Sequence, residues 1–472
     1  MATILWVTYL LLILGTVIVI LTENSNSSKT AAWIMVVIVL PGVGLLLYYV
    51  FGYSPRRTDR YWNNYLKFRD EFSKLLPDEL LDDLDGINAR KAVKARFAKL
   101  TDLLHRSNDS TVIGGSEIEI IISGQRKLES LIEDIGNARH HIHFEYFYFR
   151  RDENCRRIRE LLMQKAREGV KVRFIYENIA NIDISPRYYN KMREAGVEVL
   201  PFTKTGLPWI RRQLNYRDHR KIVVIDGNIG YTGGMNIGDD YFVKWRDTHL
   251  RIEGHGVFGL QYNFMQAWFE SGGSLPSEIS PYFPFSPNTK GSLMQIVPDA
   301  PDSRWPFLQM GTVWIIENTR KYIYIQTPYY LPPENILQSL KTVALSGVDV
   351  RIMVSEKADF FFMDPATQSF YEESLRAGIR IYEMQEIFNH AKSIVSDDYI
   401  SVIGSANLDS RSLELSFEIN AFIYDEKIAL ENKAIFFDDM KKCREVKLEE
   451  WLKRPWYKKL AQSFMRFLSP LL

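Results

Sequence analysis

Two uncharged stretches open the chain, Ala2 to Leu21 and Ala31 to Gly52. Each matches the ~20 apolar residues that a helix needs to cross a bilayer, so the pattern predicts a two-helix transmembrane hairpin. No Lys or Arg precedes the first stretch, it is long for the core of a cleaved signal peptide, and a second stretch follows at once, which favours a retained span. Thr22 to Thr30 carries one Lys, whereas Arg56, Arg57 and Arg60 crowd the exit of the second stretch. Positive residues stay cytoplasmic, so the expectation is a multi-pass protein of the cell (inner or plasma) membrane, with both termini and the body of the chain on the cytoplasmic side.

Beyond the hairpin the period changes. From Tyr61 to about Ser110, apolar residues recur at helical spacing (Leu80, Leu81 and Leu84, then Val93, Phe97, Leu100, Leu103 and Leu104), which predicts linking helices. Glu117 to Ile122 then passes from alternating to continuous apolar, a strand pattern. Ala138 to Tyr146 reads like Thr319 to Thr327, each a helix end running into a buried strand. Helices ending at Gly169 and Gly347 lead into strands Val170–Arg173 and Val348–Arg351, and helices ending at Gly196 and Gly378 lead into Val197–Val199 and Ile379–Ile381. Alternation of this kind predicts an α/β fold with two similar lobes, each a sheet covered by helices on both faces. Pro281 to Ser292, rich in Pro, Ser, Asn and Gly, reads as the inter-lobe linker. The expected organisation is the hairpin over 1–60, a helical link over 61–112, a first lobe over 113–285 and a second over 286–472, ending in an amphipathic helix.

The duplication includes a chemical motif. His219-Arg220-Lys221 is followed by Asp226, Gly233-Gly234 and Asn236; His390-Ala391-Lys392 is followed by Asp397, Gly404-Ser405 and Asn407. In both copies Lys follows His by two positions, Asp by seven, the small pair by fourteen and Asn by seventeen. One imidazole and one ammonium from each half suggest a single site built between two lobes. The His-x-Lys-x4-Asp pattern with a small pair and Asn resembles the signature of the phospholipase D superfamily. Asn215 to His219, Tyr231 to Gly238, Gln326 to Tyr330 and Gly404 to Ser412 are similar to bacterial cardiolipin synthases in particular. This resemblance covers nearly the whole chain. It departs at Asn154-Cys155 and at Glu386-Ile387-Phe388-Asn389, so it says least about the lip of the second half-site.

Composition narrows the partners. With 46% hydrophobic and 25% charged residues over 472 positions, the chain can bury two lobes, and a formal net charge of +1 provides no global field for nucleic acid. The two cysteines, Cys155 and Cys443, lack metal-ligand spacing and read as free thiols in a reducing compartment.

Phosphodiester chemistry explains the motif. One histidine can attack phosphorus while the other protonates the departing alcohol and then activates the incoming one. Lys221, Lys392, Asn236 and Asn407 can hold the phosphate oxygens, so neither a metal nor a cofactor is needed. Gly233, Gly234, Gly404 and Ser405 lack bulk, which lets the backbone turn closely behind the phosphate. Asp247 and Glu418 each lie twenty-eight positions after their histidine, where the resemblance implies the carboxylate that orients it. Asp226 and Asp397 complete the catalytic motif, and the resemblance implies that they support a turn. His140, His141 and His143 fall on a strand and suit core packing, and His105, His249 and His255 have no partner pattern. Leu207 to Arg212 suits an interfacial loop as well as a solvated one. In the tail, Trp456, Leu460, Phe464 and Phe467 fall near one face, with packing on the second lobe favoured over contact with lipid.

The resemblance implies phosphatidyl transfer from one phosphatidylglycerol to another, giving cardiolipin and glycerol through a phosphohistidine, with His219 as nucleophile and His390 as general acid/base. The implied partners are anionic phospholipids, phosphatidylglycerol and cardiolipin, met by a membrane-embedded enzyme. Another phospholipase D-type phosphatidyltransferase or phosphodiesterase, or an inactive membrane scaffold, are the rival readings, and both complete motifs count against the scaffold.

Overall fold

The computed structural model describes residues 2–23, 27–40, 42–52, 58–75, 87–202, 216–284, 291–301 and 303–469. Arg56, Arg57, the Leu80, Leu81 and Leu84 set, the Leu207 to Arg212 loop and residues 285–290 of the linker lie outside these.

The strands of both lobes join in one mixed sheet. From the outer edge of the first lobe they run Glu198–Pro201, Lys171–Tyr176, His141–Tyr146, Lys221–Ile225, Ile229–Gly233, His249–Gly254 and Ile113–Ile121. The second lobe continues with Ser292–Asp299, Ser416–Tyr424, Ile400–Gly404, Ser393–Ser396, Tyr322–Gln326, Asp349–Ser355, Arg380–Met384 and, at the far edge, Cys443–Val446. Read outward from the seam, the lobes correspond strand for strand until that last addition. The seam itself is an antiparallel pair, with Ile113 opposite Met294 and Ser116 opposite Ser292.

Helices cover both faces, as the alternation of elements predicts. On the first lobe, Leu131 of Gly124–Asn137 and Leu162 of Glu153–Arg167 pack on one face with Phe144 and Phe174. On the other face, Leu260 and Phe264 of Val257–Glu270 pack with Ile222 and Ile252, in a core that continues into the second lobe through Ile296 and Ile419. That shared core, together with the seam, makes the lobes one body. The linking helices strengthen it. Phe68 of Thr58–Ser73 packs on Tyr262 and Phe269, whereas Leu100 and Leu104 of Ala98–Asn108 join the second-lobe core with Leu308 and Ile315.

The expected two-span hairpin differs in form. Its first stretch is one helix, Ala2–Glu23, but the second is two, Ser27–Val39 and Val43–Phe51. These two fold back on each other: the rings of Trp33 and Tyr48 lie 5.4 Å apart, and a Cβ on Gly44 would meet the Val36 carbonyl at 2.2 Å. The break follows from Pro41-Gly42, because proline lacks an N–H for a helix and Gly42 takes φ 75°. Among the described residues, no helix is long and apolar enough to cross a membrane. Lys29 forms an ion pair with Glu414, so the turn expected across the bilayer from the lobes touches the second lobe instead.

The closing helix, Trp456–Leu468, packs through an unexpected side. Gln462 meets Gln368 and Arg454, and the Arg466 guanidinium covers the Phe370 ring at 3.7 Å. Trp456, Tyr457, Leu460 and Phe464 face outward and are each more than half exposed.

Asp226 and Asp397 end strands Lys221–Ile225 and Ser393–Ser396 with φ of 51° and 52°. Asp226 accepts the backbone N–H groups of Arg139, His140 and His141 at 2.8–2.9 Å; Asp397 accepts those of Arg320, Lys321 and Tyr322 at 2.8–3.2 Å. Each carboxylate therefore ties its hairpin to the start of the neighbouring strand. Replacing either with Ala removes the two oxygens that accept three backbone N–H bonds and keeps the left-handed turn without the side chain that stabilises it, at a cost of about 2 kcal/mol or more. We expect Asp226→Ala and Asp397→Ala to lower the thermal midpoint by several degrees, with Asn losing much less. Unchanged midpoints in both Ala variants would show that the turns hold without the carboxylates.

Candidate active site

His219 and His390 line one cleft of about 640 Å³ between the lobes, together with Asn236, Asn407 and Glu418. Strand pairing brings them there. Arg217–Asp218 pairs in parallel with Ser416–Phe417, and the His219 N–H continues the ladder onto the Phe417 carbonyl at 2.9 Å. The related strand Phe388–Asn389 pairs with Trp245–Arg246, and the His390 N–H reaches the Arg246 carbonyl at 2.7 Å. Each histidine thus rides on a strand of the other lobe.

That pairing crosses the histidine–carboxylate contacts. His219 Nδ1 meets Glu418 at 3.0 and 3.1 Å, and His390 Nδ1 meets Asp247 at 2.6 Å. Equal spacing within each half implied that each carboxylate serves its own histidine; the structure assigns it to the histidine of the other lobe. The reason is geometric. Glu418 directly follows the Phe417 that receives His219, and Asp247 directly follows the Arg246 that receives His390. With Nδ1 held, Nε2 is left for chemistry in the cleft.

The ammonium groups lie beneath. Lys221 Nζ donates to the His219 carbonyl at 2.7 Å, and Lys392 Nζ makes the matching bond to the His390 carbonyl. Burial draws both down, Lys221 to about 7 and Lys392 to about 8. Burial, reinforced by Lys392, likewise pulls His390 to about 3 against its bond to Asp247, and burial with both lysines holds His219 well below its ordinary range. Burial pushes Glu418 up to about 8. For Asp247, burial pushes upward but Lys392, His390 and the Thr248 N–H outweigh it, so the carboxyl sits below its ordinary range. The free cleft therefore favours neutral imidazoles and weakly held ammonium charge, a state that an entering phosphate anion would shift toward charged lysines.

Gly234 and Ser405 serve the carboxylates, whereas Gly404 and Gly233 leave room for Asn420 and His249. A Cβ on Gly234 would lie 2.1 Å from Asp247 Oδ1, and one on Gly404 would lie 2.0 Å from Asn420 Oδ1. Ser405 donates to Glu418 and accepts the Ile419 N–H. Gly233 takes φ 144°, with its Cα against His249. Besides any room behind a phosphate, smallness at Gly234 leaves space for the Asp247 carboxylate that orients His390. Asn236 Nδ2 donates to the Tyr241 hydroxyl, and among the described residues Oδ1 of Asn236 and of Asn407 lacks a hydrogen-bond partner. Turning the Asn236 amide end for end would let Oδ1 accept that hydroxyl and point Nδ2 at a substrate oxygen.

Asp226 and Asp397 lie away from the cleft lining. His141 and His143 bracket Gln261 in the core, and burial lowers both. Among the described residues, no cluster of His, Cys, Asp and Glu could hold a metal. Arg217, Arg411, Tyr241 and Trp245 line the cleft and were not singled out in the sequence, although the first lies two positions before His219 and the second four after Asn407.

Two measurements test this arrangement. Asp247→Asn should move the ¹⁵N resonances of His390 and spare His219, Glu418→Gln should do the reverse, and each should slow turnover on the order of 10²-fold or more through loss of the correct tautomer. The opposite assignment of shifts would restore same-lobe pairing. As to pH, depressed lysine values mean that the free site loses charge as pH rises through 7 and then 8, so kcat/KM should fall across that window. A bound phosphate raises both lysines, so the alkaline limb of kcat should lie higher. Lys221→Arg, charged throughout, should flatten the first step in kcat/KM. A wild-type kcat/KM that stays level up to pH about 9 would rule out lysine titration.

Comparison with known proteins agrees with this geometry. Residues 131–270 and 313–440 match the family described as "Cardiolipin synthase, PLD-like domain", and residues 10–52 match "Phospholipase_D-nuclease N-terminal". The major cardiolipin synthase ClsA of Bacillus subtilis is 37% identical over 98% of this chain and 98% of its own, and the cardiolipin synthase of Halalkalibacterium halodurans is 36% identical over 96% and 91%. A phosphatidylserine synthase structure from Haemophilus influenzae, 16% identical with a TM-score of 0.60 over 79% of this chain and all of that one, shares the fold. With both half-sites inside the matched segments and relatives aligned along nearly the whole chain, the protein belongs to the cardiolipin synthases of the phospholipase D superfamily.

Proposed function

We propose that the enzyme transfers a phosphatidyl group from one phosphatidylglycerol to another, yielding cardiolipin and glycerol. The observation that carries this reading is the single cleft in which two histidines, each oriented across the lobes, stand above two ammonium groups. His219 Nε2 attacks phosphorus while His390, carried as the imidazolium once the substrate's phosphate anion enters beside it and Asp247, gives its Nε2 proton to the departing glycerol oxygen. His390 then takes the proton of the incoming hydroxyl as that oxygen displaces His219. Lys221, Lys392, Asn236 and Asn407 hold the non-bridging oxygens as charge builds on them. The assignment of nucleophile follows family likeness.

Membrane seating belongs to the same proposal. In it, residues 1–60 enter the lipid, 61–112 brace the body, and the lobes 113–285 and 286–472 work at the cytoplasmic surface. Apolar side chains exposed along the first helices support it, including Trp6, Leu10, Leu14 and Leu21 and, at the tip of the folded-back pair, Val39 and Val43. The outward apolar face of Trp456–Leu468, flanked by Lys458 and Lys459, suits the same anionic surface. Arg56, Arg57 and Arg60 and the free Cys155 and Cys443 favour the cytoplasmic side. The ion pair of Lys29 with Glu414 favours a turn on the side of the lobes.

The test is purified enzyme in vesicles of phosphatidylglycerol, with lipid products followed by mass. Cardiolipin and glycerol should appear in equal amounts, persist with a chelator present, and vanish in both His219→Ala and His390→Ala. Phosphatidic acid as the main product would make the enzyme a hydrolase, and half-activity in either folded variant would mean two separate sites.

A further inference from the structure

The symmetry between the lobes fails at the rim of the cleft. Beside His219 the paired residues are Arg217 and Ser416; the related pair beside His390 is Phe388 and Trp245. Those aromatic rings lie 5.9 and 4.8 Å from the His390 ring. Arg411 stands four residues after Asn407, and the related position four after Asn236 is Asp240. Arg217 and Arg411 both line the cleft. Aromatic rings flank both histidines, with Phe147 4.9 Å from His219, but one half of the opening adds two arginines where the other has acidic edges, Asp240 paired with Lys244 and Asp359 receiving the Tyr329 hydroxyl.

The two arginines are poorly neutralised. Arg217 Nη1 is buried without a hydrogen-bond partner among the described residues, and its acidic neighbour Glu177 stands 3.8 Å away. Burial lifts Glu177 to about 7, so near neutrality it offsets only part of that charge. Burial draws Arg217 below the ordinary guanidinium range; Glu177 opposes this and the nearby Arg411 adds to it, as two like charges held together would. Arg411 lines the same cleft, near enough to Arg217 for the two charges to bear on each other. Asp409, on the same short segment, caps the Ser412 N–H and is raised by burial.

Joining two phosphatidylglycerols brings two phosphodiester anions into one cleft, and Lys221 with Lys392 serves only the one under attack. We infer that Arg217 and Arg411 form a second anion subsite, which takes the phosphodiester of the other phospholipid. This rests on the reaction proposed above. Arg217 and His219 lie two residues apart on a near-extended segment, roughly 7 Å, which is within reach of a glycerol bridge between two phosphates. Planar guanidinium groups suit a phosphodiester because two N–H donors can face two oxygens at once.

Head-group exchange separates this subsite from the reacting one. In exchange, labelled glycerol displaces histidine from the phosphatidyl-enzyme and regenerates labelled phosphatidylglycerol, so only one anionic lipid is bound. Full-length Arg217→Gln and Arg411→Gln enzymes in phosphatidylglycerol vesicles should lose cardiolipin formation roughly 10-fold or more beyond any loss of exchange. Arg411→Lys, which keeps the charge, should recover part of it, and circular dichroism checks that each variant is folded. Equal losses in both reactions, or no loss in either, would overturn the subsite. A wild-type enzyme that makes neither product would overturn the reaction and the subsite together.

Discussion

An imidazole attacks phosphorus or passes a proton in the right direction when a bond to its second nitrogen fixes its tautomer and aim, and here the holding group of each histidine belongs to the other lobe. Glu418 fixes His219 and Asp247 fixes His390. Neither half is therefore a weaker copy of an active site; each lacks the residue that makes its histidine useful. The lobes must be held in register to within a hydrogen bond, and the rest of the architecture supplies that register. The seam between Ile113–Ile121 and Ser292–Asp299 makes one sheet of two, a continuous core runs beneath it, and the linking helices pack one on each lobe.

The same constraint explains why the halves have diverged in step. Asp247 sits against a glycine, because any Cβ at 234 would strike it, whereas Glu418 meets the Ser405 hydroxyl. Carboxylate length and the neighbouring small residue form a matched set within each lobe. The deeper parts, strands, histidines and lysines, stay symmetric, as the proposed reaction, with both steps at one phosphorus, requires. The rim is free of that demand, and there one half gains Arg217 and Arg411 where the other carries Phe388 and Asp240.

Much of this was legible in the sequence. The alternation of elements, the repeated spacing and the eight motif residues His219, Lys221, Asn236, Asp247 and their counterparts His390, Lys392, Asn407 and Glu418 foreshadowed two lobes and one centre, and the cleft brings these residues together. Spacing carries no record of which lobe a strand will pair with, so the crossing of Asp247 and Glu418 could not be read from it. Hydropathy likewise counts apolar residues without seeing that Ser27–Val39 and Val43–Phe51 fold back at Pro41-Gly42. The closing helix showed the same limit from the other side. Its amphipathic pattern suggested packing through the aromatic face, but Gln462, Met465 and Arg466 make the docking contacts and Trp456, Leu460 and Phe464 point away.

Glu414, which receives Lys29, ends the short helix Ser410–Glu414, and that helix also carries Arg411 into the cleft. The closing helix docks on the same lobe, at Gln368 and Phe370. Both attachments thus bear on the second lobe, while the first follows through the sheet. In the membrane seating proposed above, the second lobe would be the datum from which the height of the cleft over the lipid is set, with Arg411 on the same short helix as the Glu414 contact. For a phospholipid whose tails stay in the bilayer, that seating would make the height part of the geometry of catalysis, as surely as any bond length inside the cleft.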